Sequence, residues 1–255
     1  MLAEERKDRI LQILKEDGQI KVSYLTKLFN VSLQTIRRDL ETLETEGLIK
    51  KVYGGAILNR EKFQDFSHST REKQSLEEKE EIAEIAVKLI EEGDSIALND
   101  STTNIALARK IRQNFKKLTI ISNSLLIINE LSNVEGFTTI LAGGILNVKE
   151  QAFFGEITER ILDDFRVDKA FISVSSLSLR SGITDYPLEE VQVQKKLLNI
   201  SQKSIILADS SKLESTSLIK VRDIADMELL VTDSNISSEV KSSYEGAGVT
   251  VINNI

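Results

Sequence analysis

A chain of 255 residues that is 41% apolar has enough hydrophobic material for a small module and a larger domain, so two domains are expected. With no cysteine and one histidine, a disulfide framework and thiolate metal ligation are excluded, and neither a metal nor a cofactor is expected. The net charge of −7 is uneven: residues 1–60 hold eleven Lys or Arg against nine Asp or Glu, a net of +2 that leaves −9 for the rest. Affinity for phosphate comes from local positive charge, so any nucleic-acid partner belongs to the N-terminal end. The opening MLAEERKDRI lacks a signal sequence's apolar stretch, and no window of roughly eighteen uncharged apolar residues follows. A soluble, cytoplasmic protein with no membrane partner is expected.

In chain order, Leu2, Ile10, Ile13 and Leu14 fall on one side of a first helix, with Arg6, Lys7, Asp8 and Arg9 on its wet side and Asp17-Gly18 as its stop. A second helix is predicted from about Val22 to Phe29, with Val22, Leu25, Leu28 and Phe29 turned inward and Asn30 at a short turn. Ser32 can cap a third helix, in which Ile36, Leu40 and Leu43 form the buried stripe while Gln34, Thr35, Arg37 and Arg38 occupy exposed early turns. Gly47 ends it; Leu48 to Val52 and Ala56 to Leu58 then read as two strands around Gly54-Gly55. The pattern is a winged helix-turn-helix.

Such a module places its recognition helix in the major groove of double-stranded DNA, where arginine pairs with guanine and glutamine with adenine. Gln34, Thr35 and Arg37 are the base-reading candidates, with Arg38 assigned to phosphate and Ser32 to the helix start. Lys50, Lys51 and Tyr53, on or near the wing, are expected to add backbone affinity. One small helix reads few base pairs, so a homo-oligomer, dimer or tetramer, is expected on a repeated operator. A three-helix protein-contact domain with a merely solvated basic face is the competing reading.

The run made of Val31-Ser32, Thr35 to Leu40, Leu43, Glu46-Gly47-Leu48 and Gly54-Gly55-Ala56 resembles the N-terminal domain of the DeoR family of bacterial transcriptional regulators. Tyr53 departs from it, because histidine is common before the two glycines in that family.

Residues 1–58 thus form the expected DNA-binding domain. Residues 59–76, with Phe63 and Phe66 amid a polar stretch, are expected to form a linker, and residues 77–255 a second domain, to which the family resemblance assigns effector binding and oligomerisation. His68 lies in that linker with no acid and hydroxyl arrangement around it, and is expected to be a solvated surface residue. An amphipathic helix containing Ile82, Ala83, Ile85, Ala86, Leu89 and Ile90 ends at Gly93. Strands follow at Ser95 to Leu98, Leu118 to Ser122, Thr138 to Leu141, Lys169 to Val174, Ser204 to Ala208, Met227 to Thr232 and Gly248 to Val251. Helices are predicted at Ile105 to Ile111, Leu125 to Leu131 and Glu189 to Ile200. This alternation indicates an α/β fold with a mainly parallel sheet.

Polar loops follow several of these strands, at Asn99 to Asn104, Ser122 to Ser124, Gly143-Gly144 and Asp209 to Lys212, where open α/β sheets bind ligands. In NDSTTN, the amides and hydroxyls of Ser101, Thr102 and Thr103 suit a phosphate at a helix N-terminus, and Lys212 suits its charge. Helix capping alone also accounts for those hydroxyls.

Lys79 with Ile82-Ala83, Gly93-Asp94, Asp100 with Thr102-Thr103, Asn123-Ser124, Gly143-Gly144, Gly155, Asp168 to Phe171, Gly182 with Thr184, and Asp209 to Lys212 resemble the effector domain of the same DeoR family. The resemblance implies a fold related to ribose-phosphate isomerases and a phosphorylated sugar as effector. It singles out Asp100, Thr102, Thr103, Asn123, Lys195 and Lys212, with Ser101, Ser124, Gly143 and Gly144 completing the expected site. Ser101 replaces a usual glycine, and its Cβ is expected to obstruct close approach or a left-handed backbone; Ser173 to Ser176 replace a glycine-richer segment. Where related isomerases hold a pair of acids, Ser175 and Ser176 offer no carboxylate base, so binding without turnover is expected. The competing expectation is an isomerase-like enzyme using Asp100, with an accessory nucleic-acid module; a structural adaptor is a third.

Overall fold

The computed structural model describes residues 6, 7, 9–11, 13, 14, 19–45, 48–52, 54–58 and 75–254. The chain divides into two compact units, residues 1–67 and 68–255. The expectations placed on Leu2, Asp8, Asp17-Gly18, Gly47, Tyr53, Phe63, Phe66 and His68 lie outside the described residues.

In the first unit, helical residues between 6 and 14 precede β1 (Gln19–Lys21), α1 (Val22–Phe29), α2 (Leu33–Thr45), β2 (Ile49–Val52) and β3 (Gly55–Leu58). The strands form an antiparallel sheet in the order β1-β3-β2. The predicted stripe is realised: Ile36, Leu40 and Leu43 are buried against Ile10, Leu14, Leu25, Ile49 and Ala56. Asn30 ends α1 in left-handed backbone at φ 50° and ψ 48°, the turn expected of it. At the head of α2 the Ser32 Oγ accepts the Thr35 amide at 3.2 Å.

Strand β1 is absent from the sequence expectation, because three residues of mixed polarity have no legible period. Its presence explains Gly55, where a Cβ would stand 2.1 Å from the Ile20 carbonyl oxygen. Two placements differ from expectation. Leu28 is exposed rather than inward. Arg6 is buried, not on a wet face: its Nε donates to Asp39 Oδ2 at 2.6 Å and its Nη2 to Oδ1 at 3.1 Å. A charge-assisted bidentate pair ties the first helical segment to α2, and Asp39 holds the guanidinium pKa above its usual value through that bond.

The second unit runs α3 (Leu76–Ala86), β4 (Ser95–Leu98), α4 (Thr102–Asn114), β5 (Thr119–Ser122), α5 (Leu125–Leu131), β6 (Thr138–Leu141), β7 (Ile145–Asn147), β8 (Ala152–Phe154), α6 (Glu156–Asp163) and β9 (Val167–Ser173). It continues with β10 (Ser176–Ser178), β11 (Gly182–Asp185), α7 (Leu188–Ile200), β12 (Ser201–Leu207), β13 (Ile219–Arg222), β14 (Leu229–Val231), α8 (Ser238–Gly246) and β15 (Thr250–Ile252). All seven predicted strands pair in parallel, in the order β15-β14-β12-β9-β4-β5-β6.

Alternation along each strand fills two layers. Ala97, Ile121, Ala170, Ile172, Ile206 and Leu230 face a core closed by Leu162 of α6, Leu197 of α7 and Tyr244 of α8. Their neighbours Ile96, Leu98, Ile120, Phe171, Ile205 and Leu207 face another, closed by Ile82 of α3, Leu107 of α4 and Ile127 of α5. A parallel sheet needs helices on both faces, which is why its strands read as continuous apolar runs.

Two antiparallel additions stand apart from this sheet: the hairpin β7-β8 and the three-stranded β10-β11-β13. The chain winds from β4 through β5 to β6 in one direction and from β9 through β12 to β15 in the other, so the winding reverses between β4 and β9.

Candidate functional site

In the first unit the exposed side of α2 presents Gln34, Arg37 and Arg38, with Thr35 half-buried. The Thr35 and Ser32 hydroxyls are 2.8 Å apart, so both residues serve the helix start as well as any contact. Lys50 and Lys51 are exposed on β2. Lys51 is committed to α2: its Nζ lies 3.1 Å from Glu44 and 3.7 Å from Glu41, and its amide donates to Glu44 Oε1 at 2.9 Å. These contacts raise the Lys51 pKa, chiefly through the side-chain bond to Glu44. Two carboxylates therefore already balance the charge that the sequence assigns to phosphate.

In the second unit the strand crossover builds a pocket. Asn99, directly after β4, acts as an extra peptide group: its Oδ1 accepts from the Ser173 amide at 2.8 Å and its Nδ2 donates to the Ser173 carbonyl at 2.9 Å. Fully buried Asn104 reaches back from α4 and places Nδ2 near the Asn99 carbonyl (2.9 Å), Asn99 Oδ1 (2.8 Å) and the Phe171 carbonyl (3.0 Å). The ends of β4 and β9 are thus locked where a doubly wound sheet opens its crevice.

Beside this lock lies a small cleft whose empty space, about 170 Å³, includes open solvent. Its walls are Asn99 and Asp100 after β4, Asn123 after β5, Phe154 of β8, and Glu190, Val193 and Gln194 of α7. Asn123 holds two walls together, its Oδ1 accepting the Asp100 amide at 3.0 Å and its Nδ2 donating to the Phe153 carbonyl at 3.1 Å. Ser124 stands behind, its Oγ donating to Asp100 Oδ1 at 3.1 Å. The charged wall residues are the carboxylates Asp100 and Glu190, with no Lys or Arg among the seven.

Of the residues expected from sequence, Asp100 and Asn123 line this cavity. Ser101 caps α4, its Oγ accepting the Asn104 amide at 2.9 Å, and its φ of −171° is extended backbone that any residue adopts. No left-handed conformation is needed there, so a serine in place of glycine brings no backbone strain. Thr102 is half-buried and Thr103 buried in the first turn of α4.

Gly143 and Gly144 pack under α6 and are not cavity walls. The Gly143 carbonyl accepts from Thr158 Oγ1 at 3.0 Å, and a Cβ on Gly144 would stand 2.2 Å from that hydroxyl. Lys195 is half-buried on α7, off the face that Glu190, Val193 and Gln194 share at helical spacing. Lys212 lies 3.6 Å from Asp209 and is not a wall either. Burial pushes the Asp209 pKa up, but the Lys212 and Lys79 charges and the Ser211 hydroxyl outweigh it and hold the carboxyl below its usual value. Sequence reasoning placed Asn99 in a ligand-binding loop without naming it for the site, and missed Phe154, Glu190, Val193 and Gln194; the 190, 193, 194 spacing is the one signal that would have found part of that face. Ser175 donates its amide to Asp185 at 3.0 Å and the Ser176 and Ser217 hydroxyls are hydrogen-bonded at 2.9 Å, neither Ser175 nor Ser176 supplying a base.

A winged helix-turn-helix unit on one chain with an α/β unit holding a small cleft at its winding reversal defines the class of two-domain transcriptional regulators. The chain belongs to the DeoR family: residues 6–62 match the DeoR-like helix-turn-helix domain and residues 74–234 the DeoR C terminal sensor domain. It is 32% identical over 249 residues to the HTH-type transcriptional regulator GolR of Listeria innocua, covering 97% of each chain. It is 37% identical over 233 residues to the HTH-type transcriptional repressor GlcR of Bacillus subtilis, covering 91% of this chain and 89% of that one. Among solved structures, ribose 5-phosphate isomerase A of Neisseria gonorrhoeae aligns over 55% of this chain and 54% of its own, with 15% identity and a TM-score of 0.41. The chain is a transcriptional regulator and not an enzyme, as are the curated relatives it matches across nearly its full length.

Proposed function

We propose that this protein represses a carbohydrate-utilisation operon and is released from its operator when a phosphorylated sugar binds at the cleft beyond β4. The observation that supports this most directly is the position of the cleft: Asp100, Asn123 and Gln194 meet Phe154 and Val193 beyond the strand ends where the winding reverses, the place at which doubly wound sheets bind ligands. The first turn of α4, with the Thr102 and Thr103 amides at a helix N-terminus, is the proposed phosphate seat. Relatives whose names state their role include the GlcR repressor and the lactose phosphotransferase system repressor of Staphylococcus epidermidis, the latter 33% identical over 234 residues.

Residues 1–58 bind the operator, residues 59–76 connect, and residues 77–255 sense the sugar and assemble the oligomer, a dimer or tetramer. Arg37 and Gln34 read bases while Arg38 and Lys50 hold phosphates. No helix among the described residues is long and apolar enough to cross a membrane, which accords with the proposed cytoplasmic location. Capture of genomic fragments by the purified chain, with and without a panel of sugar phosphates at fixed salt, tests the reading. Enrichment near carbohydrate genes that one phosphate abolishes supports it; no selective enrichment under any condition rejects it.

A further inference from the structure

Gln194 is 97% buried and forms part of the cavity wall, yet its Oε1 has no hydrogen-bond partner among the described residues. The orientation of its amide is fixed chemically. Nε2 donates to Asp185 Oδ2 at 2.7 Å, and a carboxylate only accepts, so the oxygen is the end left over. Asp185 is itself fully engaged, taking the Ser175 amide on the same oxygen at 3.0 Å and the Tyr186 amide on Oδ1 at 2.7 Å. An orphaned buried carbonyl costs roughly 1–3 kcal/mol, so its persistence in a cavity wall calls for a partner from outside the chain.

We infer that Gln194 selects the effector by accepting a hydrogen bond from a sugar hydroxyl, and that this end of the cavity rejects anionic groups. The inference rests on the reading of the cavity as the effector site and deepens it: the ligand enters with a neutral, hydroxyl-bearing carbon at α7, and any carboxylate at that carbon is excluded. A buried acceptor left unpaired, or set against an anion, discriminates strongly because its penalty is not relieved by solvent.

The test uses the full chain and matched probe pairs, an aldose phosphate and the aldonate phosphate of the same carbon chain, such as glucose 6-phosphate and 6-phosphogluconate, measured by calorimetry. Gln194→Lys retains a donor to Asp185 but replaces the acceptor with a cation, so a purely structural role for Gln194 would survive it. The expected result is an aldose preference in the unaltered chain that shifts toward the aldonate by about 10-fold or more in Gln194→Lys. Asn123→Ala serves as the control for the cavity. If Asn123→Ala abolishes binding while Gln194→Lys leaves the preference unchanged, the role given to Gln194 is wrong and the cavity reading stands. If no probe binds the unaltered chain, or if neither substitution alters binding, both are overturned.

Discussion

Asn104 offers the sharpest stability test, because it is fully buried and its Nδ2 faces three oxygens, Asn99 O, Asn99 Oδ1 and Phe171 O, at 2.8–3.0 Å. Two amide hydrogens satisfy at most two of them. Asn104→Ala removes those bonds and leaves two buried acceptors behind, at roughly 1–3 kcal/mol each, offset in part by removal of the side chain's own unpartnered Oδ1, for a total of about 2–4 kcal/mol. In a unit the size of residues 68–255, 1 kcal/mol moves Tm by about 2–4 °C, so a loss of about 5–15 °C is expected in the larger calorimetric transition of the full chain. Asn104→Asp is more telling than alanine. It sets a carboxylate against oxygen acceptors, so at neutral pH it should cost more than Asn104→Ala. Its folded pKa would be raised, a penalty present at neutral pH that disappears as pH falls below the unfolded carboxyl value of about 4. A cost under about 1 kcal/mol for alanine, or wild-type stability for aspartate at pH 7, would refute the clamp.

Arg6→Ala should cost the first unit about 3–5 kcal/mol by stranding buried Asp39, with the Tm of the larger unit unmoved; separate melting transitions of the full chain check this. Arg37→Ala should relax discrimination between operator variants, read by competition binding. Lys51→Ala should change the salt dependence of operator binding by well under one unit of log-log slope, because Glu41 and Glu44 already neutralise it; a full unit would contradict that pairing. Ser95 donates its hydroxyl at 2.5 Å and its amide at 2.8 Å to Asp168, and the hydroxyl bond is the main cause of a depressed Asp168 pKa. That stabilisation is present above the ordinary value of 3.8 and is lost as pH falls through the lower folded value. Ser95→Ala should therefore destabilise at neutral pH with the difference fading in acid, as melts across about pH 2–7 would show.

The parallel sheet was legible because strands buried on both faces must be apolar throughout: Ser95–Leu98 and the helix Leu125–Leu131 coincide with their predicted bounds. The antiparallel additions were not. Ser176–Ser178 is a polar triplet made a strand only by pairing with Gly182–Asp185, a tertiary fact with no local period. Glu156–Asp163 and Ser238–Gly246 had legible signals that went unread, the first a strong amphipathic pattern and the second a cap in which Ser237 Oγ accepts the Val240 amide.

At the site, the loop after β4 stood out because polar residues at a strand end are conspicuous. The α7 wall did not, since Glu190 and Gln194 meet the cavity only through the crossover. Cations misled for a related reason: a sequence displays Lys51, Lys195 and Lys212 but not Glu44 and Asp209, which occupy two of them, nor the helix phase that turns Lys195 from the cavity.

The most direct test of the central claim is operator affinity of the full chain, measured by fluorescence anisotropy at fixed salt with and without sugar phosphates, in parallel with Asn123→Ala. The account predicts that one phosphate weakens binding by about 5- to 150-fold, a coupling of roughly 1–3 kcal/mol, and that Asn123→Ala removes the response while leaving ligand-free affinity intact. Operator affinity indifferent to every phosphate, or a response that survives loss of Asn123, would contradict it.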